Sequence, residues 1–307
     1  MNGITETAQA VEQLPIVDPH LHLWQLSHGH YHWLRQHNPP YWPEKNLLQQ
    51  DFLPEDLQLT APFQLAGLVH IEAGFDNARP ERELAWLRRL QFSCPYRAVA
   101  FLDCAQPLPA IETALQALLA YQPVGVRHIF EGTDQHLLQQ PQMLQIARLL
   151  QQHQLLLEVQ CELASIANVN AIEQLAQRYP ELKLVLNHAG LVQNAQWLAW
   201  QSAIKQLAAY PNIALKLSGW ELQRAGESTE ADPDWQRRVL SELLHYWPGS
   251  RLMLASNFPL CLWQGSYQQL WQRYHQLCQN EGLSGDDWRQ LSGETAAHWY
   301  QLAEAVR

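Results

Sequence analysis

The chain has no CxxC pair, no run of basic residues, no apolar stretch of membrane-spanning length and no glycine-rich phosphate turn. Each absence removes a class of protein. The five cysteines, Cys94, Cys104, Cys161, Cys261 and Cys278, are odd in number and widely spaced. They suit neither a disulfide framework nor a cysteine metal site, and they point to a reducing, cytoplasmic setting. The 20 Lys and Arg stand against 30 Asp and Glu, a net charge of −10 at pH 7. Nucleic acid and anionic membrane surfaces are therefore not expected partners. No Lys or Arg precedes Arg35, and Met1 to Leu14 holds no apolar segment, so no secretory leader is expected. No apolar run reaches the roughly 20 residues that a membrane helix needs. Linkers, low-complexity segments and internal repeats are missing too. The 307 residues, 47% of them hydrophobic, read as a single domain over 1–307 with ample material for a core.

What the chain does have is an alternation. Ile16 and Val17 begin a short apolar strand. Further strands are expected at Leu65 to Gly74, Arg97 to Cys104, Val124 to Glu131, Leu155 to Glu162, Lys183 to Gly190, Asn212 to Trp220 and Arg251 to Pro259. Between them apolar residues recur at helical spacing, most clearly Met143, Ile146, Ala147 and Leu150. A last helix is expected from near Ser284 to Ala305, with Ser284 and Asp287 as a capping box. Eight apolar strands alternating with helices predict an α/β fold, a (β/α)8 TIM barrel. An open doubly wound sheet is the rival, and it would carry a glycine-rich turn after its first strand, where HLHLW stands instead. The stretch Ser27 to Pro43, rich in His, Pro, Trp and Tyr, is too long for a simple connector and reads as a loop roofing a pocket.

In such barrels chemistry sits at the carboxyl ends of the strands. The polar groups expected there are His20 and His22, Glu72, Arg127 and His128, Glu158 and Gln160, His188, Lys216 and Asn257. Polar groups inside apolar strands are costly unless paired or used. Plain packing alternatives stand beside the functional ones. Glu72 and Glu158 suit ion pairs with Arg127 or Lys216, and His70 and His128 alternate away from the lumen. Trp24 and Trp220 directly follow polar clusters and are candidates for the pocket wall.

These residues together resemble a known family. DPHLHLW with Tyr31-His32-Trp33-Leu34, then GVRH, NHAG and ASNFPL, is similar to the amidohydrolase superfamily. More narrowly it is similar to the amidohydrolase-2 branch, which includes L-fuconolactonase, L-rhamnonolactonase and pyrone-dicarboxylate lactonase. The resemblance runs from Ile16 to the final helix. It implies that His20 and His22 bind a divalent metal or the substrate itself, that His188 joins them, and that Arg127 holds a substrate carboxylate or hydroxyl. Asn257 falls where many members carry an Asp that activates the attacking water. An amide is not a general base and is a poorer cation ligand than carboxylate.

The resemblance thus implies a hydrolase that opens a lactone, of a sugar acid or related carboxylic acid. Its catalytic set is His20, His22, His188 and Asn257, with Arg127 at the substrate. The residues themselves add Glu72, Glu158 or one of the histidines as replacement base, and Trp24 and Lys216 as further candidates at the substrate. His20, His22 and His188 are the candidate ligands of one divalent metal such as zinc, weakly or partially held, with metal-free chemistry the other option. Any such metal is expected to leave below pH 6.5, where an unperturbed His protonates. A decarboxylase of the same superfamily and a barrel that only binds a ligand are the alternatives. The expected partner is a small molecule, and a homodimer is left open.

Overall fold

The computed structural model describes residues 13–222, 232–302 and 305. Eight parallel strands pair in sequence order: β1 (Leu14–Leu21), β2 (Phe63–Ile71), β3 (Tyr96–Phe101), β4 (Gly125–Ile129), β5 (Leu156–Gln160), β6 (Leu184–Leu186), β7 (Ile213–Leu217) and β8 (Leu252–Leu254). The sheet closes on itself at the β1–β8 seam. There Leu21 pairs in parallel with Phe258, His22 N–H donates to Phe258 O at 2.7 Å, and Asn257 N–H donates to His20 O at 2.8 Å. The strands are connected on the outside by α1 (Glu81–Leu87), α2 (Leu108–Leu119), α3 (Gln142–Gln152), α4 (Ile166–Arg178), α5 (Trp197–Leu207) and α6 (Pro233–Tyr246), and α7 (Tyr267–Asn280) follows β8. This is the expected (β/α)8 barrel.

Why so apolar a chain makes these strands is visible in how alternate residues divide. In β5, Leu157 and Val159 face outward into the layer shared with Ile146 and Leu150 of α3, while Leu156 belongs to a separate inner cluster. In β2, Leu68 faces out and Val69 and Ile71 face in. A strand points successive side chains to opposite faces, so burial on both faces removes the polar half of the pattern.

The expected terminal helix is present from Gly285 to Trp299, with a π-helical turn in its middle. The Ser284–Asp287 capping box starts α8 (Gly285–Arg289), which passes through a π-helical turn at Gln290–Glu294 into α9 (Thr295–Trp299). Capping holds through Ser284 Oγ, which accepts Asp287 N–H at 3.2 Å, and through Asp287, which accepts Ser284 N–H at 2.9 Å. The end of this helix lies under the barrel. Arg97 at the start of β3 donates to Gln301 O, and Lys183 just before β6 donates to Trp299 O. Trp299 and Tyr300 join the inner cluster with Val17, Val69 and Met253. The amino-terminal end of the barrel is thereby plugged.

At the other end several ladders stop earlier than the sequence pattern suggests. β6 ends at Leu186, β7 at Leu217 and β8 at Leu254. The residues beyond leave the extended conformation: φ is +54° at His188, +71° at Gly219 and +55° at Asn257. Polar side chains that looked like strand termini therefore stand on the rim. The stretch after β1 lies along this rim. Trp33 donates to Ala73 O at 2.7 Å, and the Trp42 ring meets Trp263 edge-on at 5.3 Å, so it reaches from the β2 loop to the β8 loop. Among the described residues no helix is long and apolar enough to cross a membrane.

Candidate active site

Three imidazoles converge at the carboxyl end of the barrel. The His20 ring lies 4.7 Å from that of His188 and 5.1 Å from that of His22, and all three are buried. Their orientation is set by what each Nδ1 meets. His22 Nδ1 lies 2.9 Å from Ile71 O and 3.1 Å from Glu72 O, so it must carry the proton and leave Nε2 as a lone pair. His20 Nδ1 lies 3.2 Å from Lys216 Nζ, an ammonium with hydrogens only, so it must accept. His20 then carries its proton on Nε2, a buried atom with no partner among the described residues. His188 Nδ1 shares a 3.0 Å hydrogen bond with Ser218 Oγ.

The backbone around His188 is strained. His188, Ala189 and Leu191 have φ of +54°, +51° and +53°, conformations that L-residues avoid and that gather at functional sites. Gly219 permits the ring to sit where it does: a Cβ there would come within 2.7 Å of His188 Cγ, on a backbone at φ +71°. Gly219→Ala is expected to destabilise by about 1–3 kcal/mol and to push the His188 ring aside. Thermal unfolding and kcat on the same preparation check this, with kcat falling further than the stability loss explains.

Two buried carboxylates are each held by one cation. Arg127 on β4 donates from Nε and Nη2 to Glu72 Oε1 at 2.8 and 2.6 Å, from Nη2 also to Glu72 O at 3.0 Å, and from Nη1 to Gln160 at 3.4 Å. The bidentate face expected to clamp a substrate is thus occupied by Glu72, and one Nη1 hydrogen remains for a ligand. Burial raises the Glu72 carboxyl and Arg127 opposes the rise. Lys216 on β7 donates to Glu158 Oε1 on β5 at 2.7 Å, and Tyr300 from the plug donates to the same oxygen at 2.6 Å. Burial lowers Lys216 to about 8 against the pull of Glu158. Glu72 and Glu158 are therefore paired with Arg127 and Lys216, the packing alternative expected for them. Lys216 and Glu158 are fully buried beneath His20, so Lys216 touches the imidazole rather than a substrate.

Asn257 does not stand alone in place of a carboxylate. Its Nδ2 donates to Glu221 Oε1. Glu221, just past β7, is buried at 2% exposure and brings an acid group to the position that the sequence reading left without one. That reading missed it because the polar census stopped at Trp220, one residue short. It also missed Asn187, whose amide is fully buried with neither atom partnered among the described residues.

Trp24 does not line the mouth. It is fully buried edge-on to Trp33 and Phe52, and its N–H donates to Gln50 O at 2.7 Å. It packs the loop after β1. Trp220 donates to Tyr274 Oη at 2.6 Å. His70 and His128 turn outward to Glu83 and Asp134, at 3.0 and 3.2 Å. Open clefts of about 580 and 700 Å³ are lined by residues such as Arg88 and His153 in one and Arg237 and His245 in the other, and neither is lined by His20, His22 or His188.

The donor set does not fit a metal as arranged. A ligating imidazole presents a lone pair and usually donates its other N–H to a carboxylate, a carbonyl or water. His22 meets this pattern through Ile71 O and Glu72 O, whereas His20 has the reverse polarity, with an ammonium behind it. Among the described residues no group of three or more His, Cys, Asp or Glu side chains is arranged to hold a metal ion. The surroundings of the three rings also differ from those of an unperturbed His. Burial, with Arg127 and Lys216 nearby, drives His188 down to about 3 and holds His20 and His22 well below the usual value. These rings stay neutral as pH falls through 6.5. The pH profile of kcat/KM is expected to be flat there, and a limb at 6.5 that vanishes in His188→Gln would contradict these environments.

The family model described as amidohydrolase (Amidohydro_2) matches residues 17–302, and the chain belongs to that family. It is a hydrolase on a TIM barrel. An uncharacterised protein of Sinorhizobium fredii, y4mH, is 26% identical over 308 residues, covering 95% of this chain and 100% of its own. An L-fucono-1,5-lactonase of Burkholderia ambifaria is 24% identical over 302 residues, covering 93% of this chain and 95% of its own. An amidohydrolase of Burkholderia multivorans, crystallised with bound zinc, shares the fold with a TM-score of 0.71 at 22% identity, over 93% of this chain and 99% of that one.

Proposed function

We propose that the chain opens the ring of a lactone, of a sugar acid or a related carboxylic acid, by attack of water on the ring carbonyl. The observation that carries this reading is the buried, unpartnered Nε2–H of His20 beside His22 and His188. A preset N–H in a buried site is suited to an oxygen that becomes negative, and one such donor contributes about 2.7–4 kcal/mol to the transition state. The lactonase name of the B. ambifaria relative supports the same class of substrate.

In this reading the ring carbonyl oxygen accepts from His20 Nε2. The His22 Nε2 lone pair accepts from the attacking water or a substrate hydroxyl. Glu221, oriented by Asn257, takes the proton of the water as the C–O bond forms. It returns that proton to the ring oxygen as the acyl–oxygen bond breaks, leaving a hydroxy acid. The remaining Nη1 hydrogen of Arg127 and its positive field favour an acidic or hydroxylated substrate. Zinc, if loaded, would supply Lewis-acid polarisation of the carbonyl, and the residues here are not set out to hold it.

A panel of aldonolactones and unsaturated carboxylic acids, followed by acid release and by carbon dioxide release, tests the reading. Acid release from lactones is expected. Carbon dioxide from an acid, with no lactone opened, would replace it with the decarboxylase.

A further inference from the structure

We propose that Lys216 is a positioning residue that locks His20 as a hydrogen-bond donor toward the barrel mouth and so keeps it from ligating a cation. The lock is a buried chain of polar contacts running up from the plug. Tyr300 Oη donates to Glu158 Oε1 at 2.6 Å, and Lys216 Nζ donates to the same oxygen at 2.7 Å and reaches His20 Nδ1 at 3.2 Å. Lys216 is lowered only to about 8, so at neutral pH it is an ammonium, and Glu158 Oε1 accepts from it and from Tyr300 together. An ammonium has nothing to accept with, so His20 Nδ1 holds a lone pair and Nε2 holds the hydrogen. The Lys216 head also lies 5.1 Å from the Tyr300 ring centre, so the plug steadies it from below.

The alternative state is close at hand. Glu158 Oε2 is buried without a partner among the described residues, 3.9 Å from His20 Nδ1. With the ammonium gone, that oxygen is the nearest acceptor for an Nδ1–H. The proton would move to Nδ1 and Nε2 would become a lone pair, giving the carboxylate–histidine arrangement typical of metal ligands. One lysine thus separates a donor site from a ligand site built on the same histidines. The use made of the N–H rests on the lactonase reading, whereas the tautomer does not.

Long-range ¹H–¹⁵N correlation on histidine-labelled protein reads the tautomer directly, with the His20 signals assigned by their loss in His20→Asn. Expected is a protonated Nε2 and an unprotonated Nδ1. The reverse pattern overturns the proposal. Zn²⁺ titration of Lys216→Met is expected to show affinity raised about 10–100-fold over the wild type, the range that second-layer partners control. Glu158→Gln/Lys216→Met, which leaves no unpaired buried charge, is expected to lose that gain. Should Lys216→Met not fold, the wild-type spectrum and the wild-type Zn²⁺ titration decide, and tight stoichiometric Zn²⁺ in the wild type counts against the lock. A correct tautomer in a protein that opens no lactone would refute the proposed function and leave this inference standing.

Discussion

Glu221→Gln is expected to lower kcat on the best lactone by about 100- to 10,000-fold, the usual worth of a positioned general base, with KM little changed. Gln keeps the shape and still offers an oxygen to Asn257 Nδ2, so the fold around the pair should survive. Loss of the base and loss of the fold are therefore separable by thermal unfolding. Asn257→Asp probes the same pair from the other side. From sequence, an Asp at this position restores a missing carboxylate. Beside Glu221 it sets two carboxylates against each other and raises the pKa of one of them. The expected result is a lower kcat with an alkaline shift of its acid limb. A gain at all pH values would mean that Asn257 and Glu221 do not act together.

Arg127→Ala is expected to be the most destabilising of the single changes. It leaves the Glu72 carboxylate, 5% exposed, with no cation, and breaking a buried pair this way costs about 3–5 kcal/mol. Arg127→Lys keeps the charge but cannot reproduce the paired donation from Nε and Nη2, so it should recover only part of the loss. Arg127→Met/Glu72→Leu should be more stable than Arg127→Ala, because no charge is left behind. Denaturant unfolding of the four proteins gives this order of stability. Equal stability of Arg127→Ala and the wild type would show that the two groups do not depend on each other. Activity should remain low in the double variant, since the positive field near His22 and His188 goes with the guanidinium.

The barrel was legible because both of its periodicities are written in apolar residues. Met143, Ile146, Ala147 and Leu150 became the buried face of α3, and the unbroken apolar strands became a sheet buried on two sides. Strand ends were less legible. Asn187 and His188 continue the run of β6, and side-chain pattern does not encode the sign of φ. Most of the polar residues within the strands were legible too, but their partners were not. Glu72 and Arg127 are 55 positions apart, and Glu158 and Lys216 are 58 apart, so only the closed barrel shows which cation holds which acid. The proton position on His20 depends on such a contact with Lys216, 196 positions away. Trp24 was misplaced for a similar reason. Its neighbours in sequence are functional candidates, and its neighbours in space are Trp33 and Phe52.

Water attack on a ring carbonyl predicts where the oxygen of water ends up. Single turnover of the best lactone in H₂¹⁸O, with the product analysed by mass spectrometry, measures it. One ¹⁸O in the carboxylate and none in the new hydroxyl is the predicted result. Label in the hydroxyl would mean that the alkyl–oxygen bond was broken, and it would contradict a site built to polarise the carbonyl.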